Sequence, residues 1–371
     1  MPQGNLVLYR KYRPRSFEEL VGQEHIVAAL TNALKTNRVA HAYLFSGPRG
    51  VGKTTTARLV AKALNCLGKD RPCNSCSSCE AFNQGRAMNL IEIDAASNRG
   101  IDEVRELRDG VRFMPSEGKY KVYVIDECHQ LTKEAFNALL KTLEEPPAHA
   151  VFILATTEFD KVPATIVSRT QHFDFRRPNL AQIVGRLVQI AKKEGVKLQE
   201  DGARLIALAA EGSLRDAESI LGQIMAAEDK EISRVEVENI LGLPRREAAK
   251  KMFELIVKKD IASALALIQE LADAGYDLVY FSKMLMNYFR NALFLKTDPA
   301  LKKFIEYEML PDEYECLSAN LSAFRPEDLS RGLNIIFQNM QSFRKSPLPQ
   351  LPLELTVIEL ITRQNNEVKE V

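Results

Sequence analysis

Short apolar runs alternate with longer amphipathic stretches over residues 1–177. The runs are AYLFS (42–46), NLIEID (89–94), KVYVID (121–126) and AVFILATT (150–157). Each is short and rich in β-favouring residues, which predicts strands. The last three show little polar alternation, which predicts burial on both faces. Between the runs, residues 53–65, 101–112 and 132–144 read as helices. Strands alternating with helices predict a parallel sheet covered by helices, an α/β fold.

The alternation stops at RRPN (176–179). Arg177 precedes a proline and is pushed out of the helical region, so a first domain is expected over 1–177. Residues 178–242 read as a small unit of three or four helices. Residues 243–371 read as all-helical. There Leu278, Phe281, Leu285, Phe289 and Leu293 recur at helical spacing, as do Leu329, Leu333, Ile336 and Met340. The polar tail QNNEVKEV is expected to fray.

Composition adds limits. Hydrophobic residues make up 46% and charged residues 27%, as in a globular protein. Lys and Arg total 50 against 49 for Asp and Glu. A chain this balanced has no global basic field, so any nucleic-acid contact must come from a local patch. No apolar run approaches the roughly 20 residues of a membrane span, and the start MPQGNLVLYRKYRPR lacks a signal layout. The expectation is a cytoplasmic protein without membrane contact.

The candidate chemistry begins at GPRGVGKT (47–54), which fits the phosphate-loop pattern G-x-x-x-x-G-K-[ST] between a predicted strand and a predicted helix. Gly47, Gly50 and Gly52 let backbone N–H groups turn inward around phosphate oxygens. Pro48, Arg49, Val51 and the following Thr55 complete the loop. Lys53 brings a positive charge, Thr54 a hydroxyl for Mg²⁺, and the helix N-terminus a favourable dipole. The strand KVYVID then delivers Asp126 and Glu127. Asp126 suits the Mg²⁺ shell and Glu127 suits polarising an attacking water. His129 is close by, but a lone histidine is more often structural.

Cys66, Cys73, Cys76 and Cys79 are spaced C-x6-C-x2-C-x2-C. Four thiolates suit tetrahedral Zn²⁺ with no open position, hence a structural site over 66–79; redox or free thiols are the alternative. Cys128 and Cys316 are isolated and read as small buried residues.

Taken together these motifs resemble the AAA+ P-loop ATPases. The segment LYRKYRPRSFEELVGQEHIV (8–27) narrows the resemblance to the gamma/tau family, the motor subunits of the bacterial DNA polymerase III clamp loader. The fold this implies is a parallel-sheet ATPase domain, a helical lid and an all-helical C-terminal collar that mediates oligomerisation. In that family the segment flanks adenine, with Arg10, Tyr12, Arg13, Pro14, Val21, Gly22 and Gln23 at the matching positions. From the residues alone it is a basic, aromatic arm. FILATTE (152–158) resembles the sensor-1 strand, with Thr157 near the γ-phosphate. VPATIVSRT (162–170) resembles the SRC motif, whose arginine reaches a neighbouring subunit's ATP. Here Arg169 is that arginine, and Thr170 replaces the cysteine. EGSLRDAE (211–218) resembles sensor 2. Ser213 and Asp216 have capping-box spacing, which sets Arg215 in a first helical turn. The helix dipole disfavours a cation there unless a phosphate faces it. Members of the family also carry a zinc module after the P-loop helix.

For DNA, AASNRGIDEVREL (95–107) offers Ser97 or Asn98 as a helix cap, with Arg99 and Arg105 nearby. The resemblance adds Lys141 and Thr165 as further contacts to the duplex backbone, which carry little sequence information. Lys141 also reads as a solvated lysine of an amphipathic helix. The implied cofactors are ATP, Mg²⁺ and structural Zn²⁺. The implied partners are delta, delta-prime, further gamma/tau copies, the β sliding clamp and primed DNA. The chain would be an ATPase subunit of the DNA-directed polymerase III holoenzyme with no polymerase active site of its own, and it matches the gamma-like part of the longer tau. A non-hydrolysing scaffold subunit and a branch-migration motor are the competing readings. Intact Lys53, Thr54, Asp126 and Glu127 weigh against the scaffold, and the cysteine insert and SRT element against the branch-migration motor.

Overall fold

The computed structural model describes residues 6–116, 118–227, 230–305, 311–343 and 345–362, without the side chains of 101–103, 303, 304, 311 and 312. The polar tail from Gln364 onward lies outside the described residues. The chain forms two compact units, Met1–Arg234 and Val235–Val371.

Among the described residues the main sheet of the first unit has five strands: Ala42–Ser46 (β1), Leu90–Asp94 (β2), Lys121–Asp126 (β3), Ala150–Thr156 (β4) and Gln171–Asp174 (β5). They form one parallel sheet in the order β2-β3-β4-β1-β5. The helices of this layer are Leu8–Lys11 (α1), Glu24–Lys35 (α2), Lys53–Leu64 (α3), Ser77–Asn83 (α4), Ile101–Val111 (α5), Lys133–Glu144 (α6) and Ala164–Val167 (α7). The two-residue period of a strand divides the core. Tyr43, Phe45, Val122, Val124, Val151 and Ile153 pack on one face with Ile26 and Leu30 of α2 and Leu59 and Val60 of α3. Leu44, Tyr123, Ile125, Phe152 and Leu154 pack on the other with Leu107 of α5 and Phe136 and Leu139 of α6.

Burial on both faces holds for β4 and the interior of β3, but not for β2. That strand lies at the sheet edge, where covering is incomplete; AYLFS occupies the interior and is buried throughout. The opposite edge is β5, whose sequence QHFD carries no apolar run and gives no strand signal. Another correction concerns α5. Its N-cap is Gly100, not Ser97 or Asn98. Those two residues instead close a turn onto Asp94, their backbone N–H groups donating to its carbonyl at 3.2 and 2.9 Å.

Beyond the sheet come Leu180–Lys193 (α8), Glu200–Ala209 (α9), Leu214–Ala227 (α10) and Arg234–Leu241 (α11). A short parallel pair, Lys197–Leu198 (β6) and Glu231–Ile232 (β7), ties the ends of this segment. Asn179 opens α8 with a capping box. It accepts from the Gln182 N–H at 2.8 Å while the Gln182 side chain accepts from the Asn179 N–H at 2.9 Å.

The second unit is helical where described: Arg246–Lys258 (α12), Ile261–Asp273 (α13), Leu278–Thr297 (α14), Pro311–Asn320 (α15), Pro326–Met340 (α16) and Leu351–Thr362 (α17). The two apolar stripes lie on α14 and α16. Leu278, Phe281, Leu285, Phe289, Leu329 and Ile336 are buried, and Leu293, Leu333 and Met340 are partly so. Phe253 of α12 sits at the centre, its ring 5.7 Å from Tyr288 and 5.6 Å from both Phe289 and Phe324. Among the described residues no helix is long and apolar enough to cross a membrane. Replacing Phe253 by alanine removes that hub, and truncations of this kind destabilise by about 3–5 kcal/mol. Native-state hydrogen exchange of the slowest α12 and α14 amides should report a loss of that size.

Candidate functional site

Every strand of the sheet ends on a polar residue at the same edge: Ser46, Asp94, Asp126, Thr156 and Asp174. In open parallel sheets ligands bind outside this carboxyl edge. The glycine loop leaves β1 there. Gly47, Gly50 and Gly52 all have positive φ, at 137°, 77° and 102°. Two of them also lack space for a side chain. A Cβ on Gly47 would fall 2.3 Å from the Phe175 carbonyl oxygen, and one on Gly50 would fall 1.9 Å from Ser213 Oγ. The loop is thus wedged between the sheet edge and the start of α10.

Lys53 opens α3 and is only 6% exposed. Its ammonium donates to the carbonyls of Gly47 at 2.7 Å and Pro48 at 2.8 Å. Burial pulls its pKa below the usual lysine range, opposed by the charges of Glu127 and then Asp126. Thr54 Oγ1 donates to Asp126 Oδ2 at 2.6 Å. The two carboxylates are oriented by the backbone. Glu127 adopts a left-handed conformation, φ 48°, and its N–H donates to Asp126 Oδ1 at 3.0 Å. Thr157, one residue past β4, donates to Glu127 Oε2 from Oγ1 at 2.9 Å and from its N–H at 3.3 Å. His129 is buried beside them. Its Nδ1 lies 2.9 Å from Thr156 Oγ1 and 3.5 Å from Glu127 Oε2, and its Nε2 lies 3.1 Å from Glu158 Oε1.

Lys53, Thr54, Asp126 and Glu127 line a cleft of about 530 Å³, whose lining does not include Gly47, Pro48, Thr157 or His129. Arg49 through Thr55 form its floor, with Asp126 and Glu127 at one end. Tyr9, Arg13, Pro14 and Val21 of the N-terminal arm form one wall, and Arg186, Leu214, Arg215 and Glu218 form the other. Arg215 stands in the first turn of α10. Ser213 Oγ caps that turn, accepting from the Asp216 N–H at 3.2 Å. Of the arm residues expected here, Arg10, Tyr12 and Gly22 do not line the cleft. Arg10 lies over the Tyr9 ring, the Tyr12 hydroxyl donates to Glu194, and Gly22 packs against Pro178. Gln23 is fully buried and exchanges hydrogen bonds with the Arg176 backbone at 2.7 and 3.2 Å.

Sequence reasoning missed eight residues of this cleft: Tyr9, Glu19, Leu20, Asp94, Ala96, Arg186, Leu214 and Glu218. The Tyr9 ring lies 4.8 Å from the Arg215 guanidinium, a cation–π distance. Arg186 and Glu218 form a nearly buried ion pair at 3.1 Å, and Arg186 Nη2 also donates to the Tyr12 carbonyl at 2.5 Å. That contact fastens the arm to the lid helices. Tyr9 belongs to the arm already singled out by its aromatic, basic composition. Arg186 and Glu218 are ordinary charges in amphipathic helices, and no local pattern marks their pairing.

Arg169 lies elsewhere. It precedes Gln171, the first residue of β5, which pairs with Tyr43 near the start of β1. The glycine loop leaves the other end of β1, a strand length of roughly 15 Å away. The Arg169 guanidinium donates to Glu144 Oε1 at 3.0 and 2.6 Å, to the Thr165 carbonyl at 2.9 Å and to Ser168 Oγ at 3.2 Å. Thr170 donates to the Ile166 and Val167 carbonyls, each at 3.1 Å, closing the end of α7. Arg99, Arg105, Lys141 and Thr165 are all exposed, before or on α5, on α6 and on α7. The Arg99 carbonyl accepts from the Thr132 N–H at 3.2 Å, which joins the entries to α5 and α6.

The sulfurs of Cys66, Cys73, Cys76 and Cys79 all lie within 4.8 Å of one another, with Cys73 and Cys79 at 3.9 Å. A tetrahedral ion with metal–sulfur bonds of about 2.3 Å sets sulfur separations of about 3.8 Å, so the cluster fits one. Backbone N–H groups of Gly68 and Cys73 donate to Cys66 at 3.3 Å each, and that of Cys79 to Cys76 at 3.5 Å. Such donors stabilise thiolates. Cys128 and Cys316 are buried, away from this cluster.

Comparison with known proteins places these features in a family. Residues 22–179 match the family described as DNA polymerase III, delta subunit. Residues 182–229 match DNA polymerase III clamp loader subunit, ATPase lid domain, and residues 232–370 match DNA polymerase III subunits gamma and tau domain III. DNA polymerase III subunit tau of Bacillus subtilis is 42% identical over 355 residues, covering 95% of this chain and 62% of that protein. The tau subunit of Escherichia coli is 46% identical over 273 residues, covering 73% and 42%. The gamma subunit of Buchnera aphidicola is 35% identical over 358 residues, covering 96% and 98%. The chain thus spans less than two thirds of the two tau proteins and nearly all of the gamma protein.

The wedge at Gly50 is directly testable. A Gly50→Ala substitution meets a left-handed backbone penalty of about 1–2 kcal/mol and the overlap with Ser213. Hydrogen exchange at 213–218 should accelerate and the thermal midpoint of the first unit should fall.

Proposed function

The chain belongs to the gamma/tau family of DNA polymerase III subunits, and we propose that it is an ATP-hydrolysing motor of a clamp loader, coupling ATP turnover to placement of the ring-shaped β clamp on primed DNA. One observation carries the reading: Lys53, Thr54, Asp126, Glu127 and Arg215 converge on one cleft at the carboxyl edge of the sheet.

Each group has a role that follows from its position. Lys53 exchanges the carbonyls of Gly47 and Pro48 for the β- and γ-phosphates. Thr54 and Asp126, already 2.6 Å apart, are the pair that would hold Mg²⁺. That ion neutralises charge on the phosphates when bound. Glu127 aligns the attacking water, and Thr157 fixes its carboxylate through two hydrogen bonds. Arg215 approaches the γ-phosphate from the lid side, leaving the Tyr9 ring. Pro14, Val21 and Leu214 supply apolar surface for the base.

Arg169 cannot reach the same nucleotide across the sheet. Its partly exposed position at the opposite end of the strands supports service to a neighbouring subunit, where a cation meets the charge that builds up in phosphoryl transfer. Its pair with Glu144 is half exposed, a setting in which ion pairs contribute about 1 kcal/mol or less, so a phosphate can displace it. Arg99, Arg105, Lys141 and Thr165 are the residues assigned to the duplex backbone, which gives grip without sequence choice. The partners are delta, delta-prime and further gamma/tau copies, assembled through the helical second unit in the cytoplasm. Zinc bound to the four cysteines is structural, since four protein ligands leave it no open position.

Three substitutions test the assignment. Lys53→Ala should abolish nucleotide binding. Glu127→Gln should keep binding and lower turnover by about 10²–10⁴-fold. Arg169→Ala should bind ATP normally as an isolated chain, yet lose about 10³-fold of the turnover stimulated by clamp and primed DNA in the reconstituted complex. Stimulated turnover that is unchanged in Arg169→Ala removes the role across the interface.

A further inference from the structure

Lys62 is 3% exposed on the same helix that starts at the glycine loop. A buried ammonium is stable only when its three N–H donors are used. Here they go to three different segments. One reaches the Arg15 carbonyl at 3.0 Å, one the Asn83 side-chain oxygen at 2.6 Å, and one the Asn74 side-chain oxygen. Asn74 lies between Cys73 and Cys76, inside the four-cysteine segment. Asn83 ends α4, the helix that carries Cys79. Arg15 follows Pro14 in the cleft wall. Its own N–H donates to Glu19 Oε2 at 2.7 Å, and Glu19 also lines the cleft.

We propose that Lys62 is a positioning residue that couples the four-cysteine knuckle to the N-terminal wall of the nucleotide cleft, so that zinc occupancy sets nucleotide affinity. The proposal rests on the nucleotide and zinc readings above. The physical path is short and continuous: the Cys73–Cys76 loop, Asn74, Lys62, Arg15 carbonyl, Pro14. A zinc ion held by four thiolates carries a net charge of about −2, and Lys62 is the cation beside it. When the knuckle loosens, Asn74 and Asn83 release two of the three ammonium contacts. Lys62 then has reason to leave the Arg15 carbonyl for water, and the arm segment from Arg13 to Glu19 loses its anchor. Coupling of this kind is reciprocal: if zinc tightens nucleotide binding, nucleotide must tighten zinc binding by the same factor.

The test uses the full chain and a fluorescent non-hydrolysable ATP analogue, in zinc-loaded and chelator-stripped forms. For the wild type, stripping should weaken the analogue by about tenfold, and saturating analogue should strengthen zinc retention against the chelator by the same factor. Hydrogen exchange over residues 9–21 should rise on stripping while the central strands β1, β3 and β4 stay protected. In Lys62→Met the analogue should bind weakly even with zinc loaded, and stripping should change it less than twofold. Asn74→Ala, which cuts only the link to the knuckle, should also lose the zinc dependence. Equal affinity in loaded and stripped wild type overturns the proposal, as does an undiminished zinc effect in both variants. If loaded wild type binds no analogue the nucleotide reading falls with it, and if the purified chain holds no zinc the metal reading does.

Discussion

The arrangement of the first unit follows from burying one ammonium. Lys53 stands at the mouth of a parallel sheet with almost no exposure to water, and a buried charge needs partners at short range. The two carbonyls it holds belong to its own loop, so the loop must curl back on itself, and only glycine tolerates that backbone at 47, 50 and 52. The carboxylates that favour its charged form must arrive from β3. The strand order therefore matters: β3 ends close enough for Asp126 to meet Thr54 and for Glu127 to face Thr157 from β4. An anionic ligand completes this arrangement naturally, since it offers Lys53 stronger acceptors than two carbonyls.

The close fit between the loop and the lid extends the same constraint. Ser213 caps α10 directly above Gly50, which sets Arg215 over the cleft in a helical turn where a cation is poorly placed without an anion. Tyr9 supplies a weaker partner through its ring. Arg186 links the arm backbone to Glu218, so the arm, the lid and the loop share one set of contacts. A nucleotide between them would touch all three together.

Much of this was legible in the sequence, for a local reason. The glycine loop, the Asp126-Glu127 pair and the cysteine spacing are each encoded within a few residues, and β1, β3 and β4 stand out as apolar runs because they are buried. The capping of α10 by Ser213 was likewise written in four residues. Edge position hid the rest. QHFD needs little apolar content at the rim of the sheet, and β2 is only half covered for the same reason. Ser97 and Asn98 had the chemistry of a cap, but Asp94 captured their backbone and moved the helix start to follow Gly100. The pairs Arg186 with Glu218, Thr157 with Glu127 and Lys62 with Asn74 depend on the fold bringing separate segments together, which single-sequence patterning does not report.

The most direct test of the account is a structure of the chain with Mg²⁺ and a non-hydrolysable ATP analogue. The account predicts that Lys53 Nζ leaves the Gly47 and Pro48 carbonyls and sits about 3 Å from β- and γ-phosphate oxygens, with Thr54 and Asp126 on the ion. A nucleotide bound outside this cleft, or Lys53 still held by its own loop with the analogue in place, would contradict it.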